Sequence, residues 1–103
     1  MDKFGALIRS KRKEQEMLIR HLSAELDIDT GQMSKIERGE RVAKREHVAK
    51  LIKIFKLNKG DATARWLSDQ VLALLVNEAE AMKALMIAKK EITYLNSKNE
   101  KNE

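Results

Sequence analysis

The chain of 103 residues contains no cysteine and no proline, and it has only four glycines, two Phe, one Trp and one Tyr. Without cysteine there is no disulfide, no thiolate metal ligand and no cysteine nucleophile, and nothing points to an oxidising compartment. No apolar run reaches the roughly 18 residues that span a bilayer, and the first residues lack the apolar stretch of a secretory signal. These absences predict a cytoplasmic protein with no membrane partner.

What the chain does contain is a helix-forming composition, dominated by Leu, Ile, Ala, Lys and Glu, in a length that suits one small domain. The predicted fold class is therefore all-α. The charge is uneven: residues 1–60 carry 15 Lys+Arg and 9 Asp+Glu, whereas residues 61–103 carry 6 and 7. A basic surface for a polyanionic partner is expected in the first 60 residues.

Apolar periodicity and cap residues predict six helices, followed by a polar tail. The expected spans are 3–14, 18–26, 30–38, 45–56, 58–76 and 78–95. The third helix has the best signals, because Asp29 is a good N-cap with Gln32 three residues later, and Gly39 suits the left-handed conformation after the last turn. Residues 96–103 contain no apolar side chain and are expected to be disordered.

Enzymatic chemistry has little support in the sequence. The two histidines, His21 and His47, have no cysteine partner and do not form a His-x-x-His or His-Glu-x-x-His motif. A Gly-rich phosphate loop and a G-x-S-x-G motif are also absent. We therefore expect no catalytic residue, no metal and no cofactor, and we expect both histidines to be exposed or partly packed.

The segment 18–38 reads as a helix-turn-helix motif. Two short helices are joined by the turn Asp27-Ile28-Asp29, and the most specific string that follows is Ser34-Lys35-Ile36-Glu37-Arg38-Gly39. Supporting features are the start Phe4-Gly5-x-x-Ile8-Arg9 and the apolar positions Leu22, Leu26, Ile28, Met33, Ile36, Val48 and Leu51. From about Phe4 to Leu57 the chain resembles the XRE family, the Cro and lambda-repressor-like regulators. The resemblance implies a five-helix lambda-repressor-like domain, here with an extra C-terminal helix.

Members of this family bind double-stranded operator DNA as dimers and repress or activate nearby promoters, so the resemblance implies a transcriptional repressor or autoregulator that acts as a homodimer. The strings Asp27-Ile28-Asp29-Thr30 and Trp66-Leu67-Ser68-Asp69-Gln70-Val71 are also similar to XRE-type regulators encoded beside DNA methyltransferases in restriction-modification systems. The chain departs from the family at two helix starts. It has Glu16-Met17-Leu18-Ile19 where Gly, Leu, Ser/Thr and Gln are common, and Ala43-Lys44 where Pro-Ser/Thr is common. The usual cap and one usual phosphate contact of helix 2 are thus missing.

By position, four residues of the third helix match the family's base-reading residues: Thr30, Gly31, Gln32 and Lys35. In the major groove Gln32 can bond adenine, Lys35 can donate to guanine, and Thr30 can touch a thymine methyl group. Gly31 can only allow close backbone approach. The alternatives are that Gln32 completes the Asp29 cap, and that Thr30 and Lys35 are simply solvated.

Basic residues flank the third helix and are expected to contact DNA phosphates, the alternative being a solvated loop. They are Arg20, Arg38, Arg41, Lys44 and Arg45. A carboxylate on a DNA-reading helix repels phosphate unless it is turned inward and paired. The resemblance suggests that Glu37 is paired with Arg12 as a structural ion pair.

The sequence therefore divides into a DNA-binding core over 1–57, a helical pair for packing and dimerisation over 58–95, and the tail 96–103. The last helix places apolar residues at the a/d spacing of a coiled coil, namely Ala81, Leu85, Ala88, Ile92 and Leu95. The expected dimer interface consists of Trp66, Leu75, Leu85 and Ile92, with intrachain packing as the alternative. Because the apolar seam also suits another protein, a competing function is an XRE-fold interaction module such as an antitoxin or a bridging coactivator.

Overall fold

The computed structural model describes residues 3–101. Within this range the chain is all-α, which confirms the predicted fold class, and no strand is present. The six helices are α1 (Phe4–Glu14), α2 (Ile19–Leu26), α3 (Thr30–Glu37), α4 (Arg45–Phe55), α5 (Lys59–Leu75) and α6 (Ala81–Lys101). None of the helices in residues 3–101 has the length and apolar content that crossing a membrane requires.

The first four helices end in the same local motif. Each is followed by a residue in the left-handed region: Glu16 (φ 53°), Asp27 (φ 55°), Gly39 (φ 76°) and Lys56 (φ 52°). The next amide then donates to the carbonyl five residues back, as from Met17 N to Arg12 O at 3.0 Å. This bond satisfies a carbonyl that the helix end leaves unpaired. Three of these four residues are not glycine, and for each of them the left-handed conformation costs roughly 1 kcal/mol.

The chain divides into two compact units, Met1–Val71 and Leu72–Glu103, here called the N-terminal and C-terminal units. In the N-terminal unit α2 packs against α3, and α1 packs against α3 and α4. The buried apolar side chains of its core are Phe4, Ile8, Leu22, Leu26, Met33, Ile36, Ala43, Val48, Leu51, Phe55, Ala62 and Trp66. The core therefore draws on α1 to α5 and on the loop before α4.

The first three turns of α5 belong to this core because of Trp66. Its side chain is only 9% exposed, and the indole Nε1 donates to the carbonyl of Ala43 at 2.8 Å. The C-terminal segment predicted from the sequence begins at residue 58, whereas the structure keeps α5 with the N-terminal unit as far as Val71. Trp66, which the sequence analysis assigns to a dimer interface, is a core residue with little surface left for a partner.

A second bond ties α5 to the start of the chain. The carboxylate oxygen Oδ2 of Asp69 accepts the amide of Phe4 at 2.8 Å. The N-cap of α1, Lys3, makes no side-chain cap bond of its own. Asp69 thus supplies from α5 both the hydrogen bond and the negative charge that favour a helix N-terminus.

The C-terminal unit consists of the end of α5 and the 21-residue α6. Over residues 81–99 no side chain is buried, and only Ala81 is partly covered. The polar tail from residue 96 is predicted to be disordered, but α6 continues through Lys101. Residues 96–101 contain neither Gly nor Pro, and extending an existing helix costs little once it is nucleated. Residues 102–103 of the expected tail lie outside the described residues.

Candidate nucleic-acid interface

α2 and α3 are joined by only three residues, each of which has a local role. Asp27 ends α2 in the left-handed conformation, and the amide of Ile28 donates back to Ser23 O at 3.0 Å. Asp29 then starts α3, with its Oδ1 accepting the amide of Gln32 at 2.7 Å. The turn is therefore held by the C-cap of one helix and the N-cap of the next.

The position of α3 is further fixed by a close approach of α1. A Cβ atom added at Gly5 would lie 2.1 Å from the backbone oxygen of Ile36 and 2.8 Å from that of Glu37. Real Cβ atoms do not occupy such positions, so only glycine lets α1 reach the last turn of α3. The inward side chains of α3 are Met33, Ile36 and Glu37, all buried.

Glu37 is neutralised by Arg12 of α1. Arg12 Nε lies 2.8 Å from Glu37 Oε2, Arg12 Nη2 lies 3.0 Å from Oε1, and Nη1 donates to Met17 O at 2.9 Å. The two side chains are only 14% and 4% exposed. The hydrogen bonds that Arg12 donates to the Glu37 carboxylate raise the pKa of Arg12, against the lowering effect of burial. The one carboxylate within α3 thus points into the protein and adds no repulsion to the outer surface.

The outer side of α3 carries the residues that the sequence assigns to base reading. Thr30, Gly31 and Lys35 are exposed, and Gln32 is half-buried. In the described part of the chain the Gln32 side chain does not bond back to Asp29, so it does not complete a reciprocal cap. Gln32 instead lines a polar surface cavity of about 370 Å³, together with Leu26, Asp27, Ile28, Lys44, Glu46, His47 and Lys50.

Two of the predicted phosphate-binding residues already have local partners. The Arg38 guanidinium forms an ion pair with Glu40 and donates to Ser34 Oγ at 2.6 Å. The guanidinium of Arg45 lies over the Trp66 ring, 5.0 Å from its centroid, which is within cation–π range. Both contacts hold these cations in place beside the α3–α4 loop.

The other three predicted phosphate-binding residues are exposed and make no ion pair within residues 3–101: Arg20, Arg41 and Lys44. Lys44 is also the N-cap of α4, and its side chain makes no cap bond, just as Leu18 makes none at α2. The first amides of both helices therefore lack a side-chain acceptor and remain open to an external one. Positive charge and open amides together favour a bound anion.

Three residues have structural roles beyond those predicted from the sequence. His47, expected to be exposed or partly packed, is 8% exposed, and its Nδ1 is buried without a hydrogen-bond partner in the described residues. The helical spacing of His47 with Leu51 and Phe55 was a usable signal for its burial. The contacts of Gly5 and Asp69 had no such signal, because each joins segments more than 30 residues apart. His21 is exposed.

No protein-family model, no curated protein and no solved structure matches the chain.

Proposed function

We propose that the chain is a transcriptional regulator, a repressor or autoregulator, which binds specific double-stranded DNA as a homodimer. In this proposal residues up to 57 form a lambda-repressor-like helix-turn-helix domain with α3 in the major groove. One observation carries the proposal: α3 buries Met33, Ile36 and Glu37 and turns Thr30, Gly31 and Lys35 outward. The helix is anchored on one side and is polar and basic on the other.

The chemistry of the outer side suits base edges. The major groove presents a distinct pattern of donors and acceptors for each base pair, and a helix of this width fits within it. An exposed lysine can donate to guanine O6 and N7, and a threonine methyl can contact the thymine methyl. The absence of a side chain at Gly31 leaves room for close backbone approach.

The flanking charges suit the DNA backbone. Arg20, Arg41 and Lys44 are exposed cations without an ion-pair partner in residues 3–101, so binding to phosphate does not require an existing pair to break. The inward Arg12–Glu37 pair leaves the outer side of α3 without a carboxylate. These features support a surface in which the exposed cations contact the DNA phosphates while α3 contacts the base edges.

The first test is selection of duplexes from a random library by the full-length protein. Lys35→Ala is expected to weaken the selected duplex by ~1–3 kcal/mol and to leave a scrambled duplex less affected. The matched control is Lys53→Ala, since Lys53 is an exposed lysine of α4 outside the proposed interface. An equal loss on both duplexes for Lys35→Ala contradicts base reading by this residue.

Salt dependence tests the phosphate contacts separately. Neutralising about 6–10 phosphates per dimer should reduce affinity by about 10³–10⁵ between roughly 50 and 200 mM salt. Arg41→Ala should weaken all duplexes by a similar factor and lower the salt slope by about 1. Affinity that does not change with salt contradicts the DNA proposal.

A second candidate function is a protein-interaction module, such as an antitoxin or a bridging coactivator. The exposed apolar side chains of α6 favour it, since a contiguous apolar surface marks a protein contact more often than a DNA contact. Failure of the selection to enrich any duplex favours this candidate over the first.

A further inference from the structure

The exposed seam of α6 has the register of a two-stranded coiled coil. In heptad terms Leu85, Ile92 and Asn99 occupy a positions, and Ala81, Ala88 and Leu95 occupy d positions. The larger members are open to solvent, with Leu85 38%, Ile92 58% and Leu95 52% exposed. About two heptads of apolar seam, over residues 81–95, are thus largely uncovered on a continuous helix.

We infer that this seam binds α6 of a second copy of the chain, parallel and in register. The inference rests on the homodimer part of the proposed function and goes beyond it by assigning one helix and one orientation. It does not depend on DNA binding.

The identity of the seam residues favours a parallel pair. Ile92 at an a position followed by Leu95 at a d position is the combination that favours two strands. A single Asn at an a position, here Asn99, selects a dimer and a fixed register, because two such side chains can hydrogen-bond to each other across a parallel pair. The seam is therefore self-complementary in this arrangement.

An antiparallel pair uses the same residues less well. The register that matches Leu85 with Leu95 of the second copy sets Asn99 against Ala81, where its amide has no polar partner. In the same register Lys89 lies close to Lys89 of the second copy, and Glu91 lies close to Glu91 of the second copy. Both pairs place like charges together. In the parallel pair Glu91 instead flanks Asn96 of the second copy, and no like charges face each other within residues 81–99.

Disulfide trapping tests the orientation, and the absence of native cysteine makes any introduced thiol unique. Ala81→Cys in the full-length chain is expected to form disulfide-linked dimers on mild oxidation, whereas Ser97→Cys, on the side opposite the seam, is not. In the antiparallel pair the two copies of residue 81 are separated by about 27 Å, from 18 residues at 1.5 Å each, far beyond disulfide reach. The inference is overturned if Ala81→Cys stays reduced while a mixture of Ala81→Cys and Asn99→Cys cross-links, or if Ser97→Cys cross-links equally.

Sedimentation tests the surface itself with a matched pair of variants. Ile92 and Ile87 are 58% and 57% exposed, but only Ile92 lies in the seam. Ile92→Asp is expected to convert a micromolar dimer to a monomer, and Ile87→Asp to leave the dimer intact. Trp66 fluorescence checks that the N-terminal unit stays folded in both. A monomer, trimer or tetramer for the unmodified chain, or dissociation by Ile87→Asp, overturns the inference. Neither assay contains DNA, so failure here is distinct from failure of the Lys35 experiment.

Discussion

The N-terminal and C-terminal units bury the apolar side chains of their helices to very different extents. The N-terminal unit uses helices of 8 to 11 residues for α1 to α4, and five of its side chains are almost completely inaccessible: Ile8, Leu22, Leu26, Met33 and Leu51. The C-terminal unit contains the longest helix, at 21 residues, and buries no side chain over residues 81–99. Helices shorter than about 12–15 residues are marginal alone in water, so the short helices depend on their shared core. The long helix forms from local bonds and leaves its apolar side chains exposed.

The comparison also shows that residue type does not decide burial. Leu51 is 0% exposed, whereas Leu74 is 75% exposed, although both lie in amphipathic helices. The difference lies in whether other helices converge on the residue.

The largest expected effect comes from breaking the buried ion pair of the N-terminal unit. Glu37→Ala leaves the largely covered Arg12 guanidinium without its carboxylate and should cost up to ~3–5 kcal/mol of unfolding free energy. The matched change Glu40→Ala breaks an exposed pair, with side chains 53% and 56% exposed, and should cost only ~0–1 kcal/mol. Urea unfolding followed by Trp66 fluorescence measures both. Equal costs contradict a structural role for the Arg12–Glu37 pair.

The burial contrast is tested by the same truncation in each unit. Leu51→Ala should lower the unfolding free energy by ~2–5 kcal/mol, because it removes contacts and leaves a cavity. Leu74→Ala should change it by no more than ~0.5 kcal/mol, as expected for a surface site. Urea titrations of the two variants give the values. A large cost for Leu74→Ala in a monomer contradicts the exposure described for that residue.

The close approach of α1 to α3 is tested by two glycine substitutions. Gly5→Ala forces its methyl group against backbone and should cost ~1–3 kcal/mol or more, since two helices must move apart. At Gly60 a Cβ atom would meet nothing nearer than 3.4 Å, so Gly60→Ala should be neutral or stabilise by up to ~1 kcal/mol. Thermal unfolding of both variants measures the contrast. Equal thermal stability of the Gly5→Ala and Gly60→Ala variants contradicts the close approach of Gly5 to the backbone of α3.

The smallest effect concerns the left-handed turn after α4. Lys56→Gly should raise the unfolding free energy by up to ~1 kcal/mol, because glycine adopts φ 52° without the steric cost of a Cβ atom. Lys53→Gly, within the last turn of the same helix, should lower it by up to about the same amount. Opposite changes in unfolding free energy for these two lysine-to-glycine substitutions support the left-handed conformation of Lys56. A lower unfolding free energy for Lys56→Gly contradicts it.

Much of the helix pattern could be predicted because its signals are local. Asp29 and Gly39 mark the ends of α3, and both act as the sequence suggests, one accepting the Gln32 amide and the other adopting φ 76°. The first four helices lie within one residue of the spans expected at either end. The last helix was predicted less well, since its continuation through polar residues 96–101 depends on helix propagation and not on apolar spacing.

The candidate interface was predictable in part. The residues expected on α3 are exposed, except that Gln32 is half-buried, while two of the expected phosphate-binding cations are engaged with neighbours. The Arg38–Glu40 contact is short-range and was open to prediction from sequence. The stacking of Arg45 on Trp66 was not, because it needs α5 folded back onto α4.

The all-α class, the start and end of α3, and the alternation of apolar and polar positions along each helix follow from the amino-acid sequence alone. These features depend on residues within about one helical turn of each other, so no knowledge of the rest of the chain was needed. The cap of α1 by Asp69, the place of Trp66 in the core and the contact of Gly5 with α3 depend instead on tertiary packing. Such contacts join residues far apart in the chain, and they exist only once packing of several helices has offset the conformational entropy lost in bringing them together.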